Sequence, residues 1–315
     1  MIDHIVLAEG LRFPEAPVAL ADGSILVGEL AGSTIACIHP GGRISRRHTG
    51  GSPNGLAVGP DGAVYLCNNG GADYRPGHFL PRGPSHDYDG GSIQKVDPQT
   101  GKVVTLFTHC GKDRLSAPND LVFDRQGGFY FTDTGKRFDR HRDHGGIYYC
   151  TPAGAIECIT FPVLSPNGIG LSPDEATIYV ADTETGRLWA LDLDAPGRIV
   201  RQAFPSPFGG RLLCGLGGFQ RFDSLAVTAA GNICVATLVS GKITVVTPQG
   251  AVLRQVQMPG DAFPTNLCFG GADMRTAYIT LAQTGRLIAM EWDEPGLTLN
   301  HAGGAANDIL GSSRV

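Results

Sequence analysis

The sequence predicts an all-β protein, a six-bladed β-propeller built from four-stranded antiparallel blades. The first observation behind this fold class is the abundance of turn-forming residues. The 45 glycines and 21 prolines make up about a fifth of the 315 residues, against roughly 12% in an average protein. Charged residues are only 17%, which argues against coiled coils and helical arrays, while 42% hydrophobic residues are enough for a packed core.

The second observation is a frame that occurs six times, with a polar residue, a short apolar strand, a turn and another strand. Examples are "PNGLAVGPDGAVYLCN" and "PNDLVFDRQGGFYFTD". The leading polar residues of the six copies are Glu15, Asn54, Asn119, Asn167, Asp223 and Asn266. Seven positions further on stand the turn residues Asp22, Asp61, Gln126, Asp174, Ala230 and Asp273. Glycine follows the turn residue in four copies, as expected where a tight hairpin requires a positive φ.

Each copy continues with a third strand that begins after glycine and usually with a fourth, as in "GSTIACIHPGG". Repeated four-stranded antiparallel units predict a propeller, which leaves only short sheet edges. A β-sandwich of six hairpins is the structural alternative, but it does not explain the constant frame. We expect residues 1–315 to form a single propeller domain.

Blade geometry predicts where the polar residues lie. Strands alternate in direction, so the six leading polar residues should share one end of the central channel, with the Asp-Gly turns at the other end. Three long segments should lie over this ring of polar residues, namely 69–90, 134–145 and the connector 204–220. Long loops in compact domains commonly serve as lids or binding loops.

The ring contains two carboxylates, Glu15 and Asp223, which would repel each other across a narrow channel unless a cation lay between them. A hard divalent cation prefers carboxylate and amide oxygens, and Asn167 or Asn119 could add neutral ligands. No cysteine or histidine occupies a ring position, which argues against a structural zinc site. The alternative is that these groups line a water-filled channel and cap strand ends.

Further candidates lie near the ring. Asn54 on the ring, and His86 and His141 in the two long loops, are candidate substrate contacts. A second inward set ends the second strands and could either support the metal ligands or serve as ordinary turn residues. Its members are Glu29, Asn68, Asp133, Asp182 and Thr237.

Charge and cysteine usage restrict the partners and the compartment. A net charge of −5 without a basic run argues against nucleic acid. No apolar stretch is long enough to span a membrane, and "MIDHIVLAEG" lacks the features of a signal peptide. The eight cysteines form no CxxC or CxxH pair and most lie in apolar strands, so we interpret them as free thiols. We therefore expect a cytoplasmic monomer or small homo-oligomer.

The repeats resemble the SMP-30/gluconolactonase/luciferin-regenerating-enzyme (LRE) family of six-bladed propeller lactonases. The likeness runs from about Phe13 to about Trp292 and depends on "RFPEAPVALADGSILVGE", "PNDLVFDRQGGFYFTD", "SPNGIGLSPDEATIYVADT" and "FDSLAVTAAGNICVAT". The resemblance implies one divalent metal, with Ca²⁺ favoured and Zn²⁺, Mn²⁺ or Mg²⁺ as alternatives. It places the metal ligands on Glu15, Asn167 and Asp223, and a substrate-positioning asparagine on Asn119.

The resemblance implies metal-dependent hydrolysis of a lactone, with Asp223 as the base and Asn119 orienting substrate or water. Two departures bear on the substrate. Ala117 stands where sugar lactonases often have arginine, and "FDS" replaces "PDG" in the fifth blade. We therefore expect a less polar lactone, held by apolar side chains of the long segments. These are Tyr74, Phe79, Leu80, Phe138, Phe204, Phe208, Leu212, Leu213 and Phe219. The alternatives are a non-catalytic metal- or ligand-binding propeller and a phosphoester hydrolase.

Overall fold

The structure, a computed structural model, describes residues 3–75, 77–97 and 100–303. Their secondary structure is β-strand apart from turns and one 3-10 turn at Leu30–Gly32, and none of the helical structure described could span a membrane. Six antiparallel sheets of four or five strands are arranged as a six-bladed propeller, which confirms the predicted fold class. The expectation of a single domain over 1–315 includes residues outside the described ranges and stays a prediction.

The strands follow the repeat frame blade by blade. The first half of the chain contains β1 (Ile5–Ala8); blade one with β2 (Pro14–Ala19), β3 (Ile25–Glu29), β4 (Thr34–Ile38) and β5 (Ile44–His48); blade two with β6 (Pro53–Val58), β7 (Val64–Asn68), β8 (Ser92–Val96) and β9 (Val103–Phe107); the hairpin β10 (His109–Cys110) and β11 (Asp113–Arg114); and blade three with β12 (Pro118–Phe123), β13 (Phe129–Asp133), β14 (Gly145–Cys150) and β15 (Ile156–Val163).

The second half contains blade four with β16 (Pro166–Leu171), β17 (Thr177–Asp182), β18 (Arg187–Ala195), β19 (Arg198–Ile199) and β20 (Arg211–Gly215); blade five with β21 (Arg221–Val227), β22 (Ile233–Leu238), β23 (Lys242–Val246) and β24 (Val252–Gln257); and blade six with β25 (Pro264–Gly270), β26 (Thr276–Leu281) and β27 (Arg286–Glu291).

The ring of blades is closed by the N-terminal strand. The innermost strands of neighbouring blades contact one another in order, and β25 of blade six contacts β2 of blade one. β1 pairs antiparallel with β27 and so supplies the fourth strand of blade six. Next to this closure, the Thr265 hydroxyl donates a buried hydrogen bond to the Pro14 carbonyl at 2.7 Å. Blades one and six are therefore joined in two ways. The chain runs from β1 into β2 of blade one, and β1 itself is hydrogen-bonded to β27 in the sheet of blade six.

The predicted hairpin turns have the expected backbone. Gly23, Gly62, Gly127 and Gly231 all adopt positive φ angles, between 73° and 87°. The equivalent positions in blades four and six are Glu175 and Met274, and both have φ of 59°. All six copies therefore use the same left-handed position, although only four of them have the residue that adopts it at least cost.

Apolar side chains fill the spaces between adjacent blades, as in the cluster of Leu26 and Ile35 from blade one with Leu56 and Leu66 from blade two. Full burial of one such side chain stabilises the fold by about 1.5–3 kcal/mol. All eight cysteines are free, and five of them are buried. The interpretation of the cysteines as free thiols is confirmed.

The prediction for the connector 204–220 was wrong for most of its length. Residues 211–215 form β20, which pairs with β18 as an outer strand of blade four, far from the channel axis. Phe208 packs edge-on against Trp189 at 4.8 Å, and Leu213 packs against the core between blades four and five. Leu212 lies on the same outer strand, and Phe204 is almost fully exposed. The segment 211–215 belongs to blade four because its backbone pairs with the outer edge of β18.

The end of the channel with the hairpin turns is apolar and partly covered. Residues 295–303 cross this end after blade six: Leu297 donates its N–H to the Val227 carbonyl, and the Asn300 side chain donates to the Phe123 carbonyl. Inside lies a cavity of about 380 Å³ whose wall is mainly formed by apolar residues of the six innermost strands. Asp120 and Asn266 are among the few polar residues that line it.

Candidate metal centre at the ring end of the channel

A break in strand register positions each polar residue of the ring. In all six blades the pairing between the first two strands is irregular at or next to the leading polar residue, for example between Glu15 and Val18. Such bulges redirect side chains and are common beside functional sites. In blade one the irregularity includes Ala16, which has a φ of 43°. All six ring residues are buried, with 3–8% of their surface exposed.

Three buried carboxylates face one another across the channel. Burial raises the pKa of Glu15 well above its usual value, and the charges of Asp223 and Asp120 raise it further. Burial also raises the pKa of Asp223 to about 7, although a hydrogen bond from the Asn167 side chain lowers it again. Burial therefore disfavours the charged form of all three carboxylates, and the charge of a neighbouring carboxylate adds to this effect at Glu15 and Asp223.

Asp120 is the member of this set that sequence reasoning missed. Burial raises its pKa to about 7, against hydrogen bonding from the Leu121 N–H and from the side chains of Ser224 and Asn266. The other five copies have Ala, Gly, Gly, Ser or Leu directly after the leading polar residue. A carboxylate at a position that otherwise carries small or apolar residues was the available signal.

Several ring oxygens are left without a partner. Glu15 Oε2, Asn54 Oδ1 and Asn119 Oδ1 are buried and accept no hydrogen bond from the residues that the structure describes. By contrast, Asn266 Oδ1 accepts the Leu267 N–H at 2.7 Å, and Asn167 Oδ1 accepts the Ser224 hydroxyl at 3.3 Å. Buried polar atoms are usually paired, so these unpaired oxygens are available to a cation, a substrate or an ordered water.

Two aromatic side chains from the described part of the long loop between β7 and β8 pack against residues that precede β2 and β25. Tyr74 lies 5.6 Å from Phe13 between ring centroids, and Phe79 stacks on the same Phe13 at 5.2 Å. Phe79 also contacts Phe263, which precedes β25, at 5.0 Å. Phe13 is two residues before Glu15, so this aromatic cover, defined as Phe13, Tyr74, Phe79 and Phe263, lies next to the carboxylates. These contacts agree with the predicted position of this loop, and its role as a lid stays a prediction.

A buried lysine joins the two long loops. Lys136, in the loop 134–144, donates its amine to the Asn69 carbonyl at 2.8 Å and to the Gly71 carbonyl at 2.5 Å. The amine also lies 4.6 Å above the Tyr88 ring. Desolvation lowers the pKa of Lys136 to about 8, because burial disfavours the charged amine. The hydrogen bonds to the two carbonyl groups offset this unfavourable desolvation.

The second inward set has a structural role in the residues described. Asp133 accepts the backbone N–H groups of Ser116, Ala117 and Gly135. Glu29 pairs with Arg46 at 2.7 Å, and Asn68 accepts the N–H groups of Ser52 and Gly70. These side chains fix the turns that carry the ring residues, which favours the turn interpretation. Asp182 does the same by accepting the Thr185 N–H, whereas the Thr237 hydroxyl pairs with Thr244 inside blade five.

The structure does not place the two candidate histidines among the ring residues. His86 and His141 are both exposed, whereas every ring residue is buried. His141 stacks on Phe138 at 4.3 Å, and Phe138 contacts Tyr88. Their proposed contact with substrate stays a prediction.

Comparison with known proteins identifies the family. Residues 13–283 match the model of the SMP-30/Gluconolactonase/LRE-like region. The chain belongs to this family. The match contains all six ring residues and both long loops, so the candidate centre lies wholly within the part shared with the SMP-30/gluconolactonase family.

The chain is similar to several named proteins. The chain is 27% identical over 231 residues to a gluconolactonase of Zymomonas mobilis, covering 69% of this chain but only 57% of that protein. It is 30% identical over 259 residues to lactonase drp35 of Staphylococcus saprophyticus, covering 80% of this chain and 70% of that protein. The calcium-binding protein regucalcin of Agrobacterium tumefaciens has the same fold, with a TM-score of 0.71, 19% identity, and coverage of 95% and 98%.

The ring of this SMP-30/gluconolactonase family member suits a hard cation chemically. The described residues contain no group of three or more His, Cys, Asp or Glu arranged to hold a metal. The proposed ligands are two carboxylates and one carboxamide, and such a set contains only two residues of those four types. The unpaired Glu15 and Asn119 oxygens are ligands of the kind that Ca²⁺ prefers. A bound cation would also offset the repulsion among Glu15, Asp120 and Asp223.

Proposed function

We propose that this protein hydrolyses a lactone with the help of one divalent cation, Ca²⁺ being favoured, held by Glu15, Asn167 and Asp223. The observation that supports this most directly is the group of three buried carboxylates, Glu15, Asp120 and Asp223, beside unpaired buried oxygens. The family includes a protein named gluconolactonase and one named lactonase drp35, which supports a lactone as the substrate.

The chain's own residues provide positioning and proton transfer. When bound, the cation polarises the lactone carbonyl and acidifies a water molecule. Asp223 accepts the proton of the water as its oxygen bonds to the carbonyl carbon, and returns it to the ring oxygen of the lactone when the ester C–O bond breaks. The Asn167 partner of Asp223 holds the carboxylate in place. Asn119 and Asn54 lie on the same ring with free Oδ1 atoms and orient the substrate or the water. The aromatic cover excludes bulk water, which strengthens these polar contacts.

We further propose that the substrate is less polar than a sugar lactone. Ala117 provides no guanidinium to bind hydroxyl or acidic groups, and the ring is covered by Phe13, Tyr74, Phe79 and Phe263. Each additional methylene buried against such a surface favours binding by about 0.8 kcal/mol. An alkyl-substituted lactone should therefore have a higher kcat/KM than gluconolactone, and a clear preference for gluconolactone would contradict this part of the proposal.

The test is a panel of lactones assayed by proton release, after chelation and after adding back Ca²⁺, Mn²⁺ or Zn²⁺. Hydrolysis that disappears with chelator and returns with one ion supports the proposal. An aryl phosphate in the same panel tests the phosphoester alternative. Cation binding without turnover of any ester would favour the alternative of a non-catalytic binding propeller. The cytoplasmic location and the state as a monomer or small homo-oligomer stay predictions.

A further inference from the structure

One buried polar group near the ring has no role in the mechanism above. The hydroxyl oxygen of Tyr74 is inaccessible to solvent, and no described residue lies in hydrogen-bond contact with it. Buried tyrosine hydroxyls usually find a partner, because leaving one unpaired in an apolar setting is unfavourable. Glu15 Oε2 is also unpaired, so these two groups do not satisfy each other.

The surroundings hold Tyr74 firmly in this position. Its ring packs on Phe13, which in turn stacks on Phe79. The start of the same loop is fixed by the Lys136 amine, which binds the carbonyl groups of Asn69 and Gly71. These contacts and the burial of its hydroxyl oxygen hold the Tyr74 side chain against Phe13 and keep the hydroxyl away from solvent.

Proximity to Glu15 indicates which part of a ligand the hydroxyl meets. Tyr74 packs on Phe13, which stands two residues before Glu15, and the charge of Glu15 adds to burial in raising the pKa of Tyr74, which agrees with this position. A phenol is protonated at neutral pH and can therefore donate a hydrogen bond. Since Glu15 is a proposed cation ligand, a group beside it lies next to the reacting ester and not next to a distant substituent.

We propose that the Tyr74 hydroxyl contacts the substrate directly and donates a hydrogen bond to the ester group of a lactone bound over the ring. This inference rests on the function proposed above. It predicts that the contribution of Tyr74 is the same for substituted and unsubstituted lactones, because every lactone has the ester.

The experiment compares Tyr74→Phe with Tyr88→Phe, a control in the same loop. The Tyr88 hydroxyl donates to the Ser116 carbonyl at 2.8 Å, so its loss affects the loop but not the ring. For Tyr74→Phe we expect kcat/KM to fall roughly 10- to 100-fold with both δ-valerolactone and gluconolactone. Tyr88→Phe should have little effect. The Ca²⁺ affinity of Tyr74→Phe, measured by calorimetry, should equal that of the wild type, which a merely structural role at Glu15 would not predict.

Binding of δ-valerolactam, which keeps the carbonyl but resists hydrolysis, provides a readout independent of turnover. Its Kd should rise about tenfold in Tyr74→Phe, as for the loss of one hydrogen bond. Unchanged kcat/KM and unchanged lactam affinity in Tyr74→Phe would overturn the inference. Lactam binding that depends on Tyr74 in a protein that hydrolyses no lactone would overturn the proposed function and leave the contact standing. A wild type that neither hydrolyses lactones nor binds the lactam would overturn both.

Discussion

The two ends of the central channel are formed by the same six strands, yet they differ in chemistry. At the ring end, Glu15, Asp120 and Asp223 are buried with raised pKa values. A few residues further along the same strands, side chains such as Leu171 and Phe269 line a cavity of about 380 Å³ beneath residues 295–303. Packing at the apolar end stabilises the fold, whereas desolvated carboxylates at the ring end oppose it. The comparison supports the proposal that the ring end binds a ligand, whereas packing at the opposite end stabilises the fold.

The largest expected effect is on catalysis at the ring end. Asp223→Asn keeps the shape and one oxygen ligand but removes the base and a charge, so kcat/KM should fall at least roughly a hundredfold. The matched control is Asn266→Ala, whose Oδ1 already accepts the Leu267 N–H. Steady-state kinetics should show a far milder loss for this control. Equal losses at both positions would mean that the ring has only a structural role.

The next effect belongs to the apolar end. Leu171 is buried in the cavity wall and packs in the core between blades three and four. Leu171→Ala should lower the free energy of unfolding by about 2–5 kcal/mol, through lost burial and a larger cavity. The kcat/KM per folded molecule should not change. Denaturant unfolding and steady-state kinetics on the same variant check this prediction. A loss of activity without a loss of stability would contradict the assignment of different roles to the two ends.

A smaller effect concerns pH. Since the pKa values of Asp120 and Asp223 are raised to about 7 in the folded state, the folded protein binds more protons than the unfolded chain between about pH 4 and 7. The metal-free protein should therefore lose stability as pH rises from 5.5 to 7.5. Thermal unfolding in chelator should show this slope, and Asp223→Asn should flatten it. A Tm of the metal-free protein that rises over this range would contradict the raised pKa values that burial gives to these two carboxyl groups.

The repeat frame predicted the six blades because each copy repeats the same turn and strand pattern. It did not predict that β1 completes blade six, because Ile5–Ala8 lies outside the frame and its partner β27 is at the other end of the chain. The connector was also misread, since its apolar residues fit an outer strand as well as a lid. Asp120 was missed because the frame emphasised the residue before it. The roles of Glu15, Asn119, Asn167 and Asp223 remain predictions.

The central claim is that the ring end binds a divalent cation, and anomalous diffraction from crystals grown with Mn²⁺ tests it most directly. Mn²⁺ prefers the same oxygen ligands as Ca²⁺ and scatters anomalously, so it reports the site without assumptions about the substrate. We predict a single strong anomalous peak bounded by side-chain oxygens of Glu15, Asn167 and Asp223. Only water among these three side chains, in crystals saturated with the ion, would contradict the account.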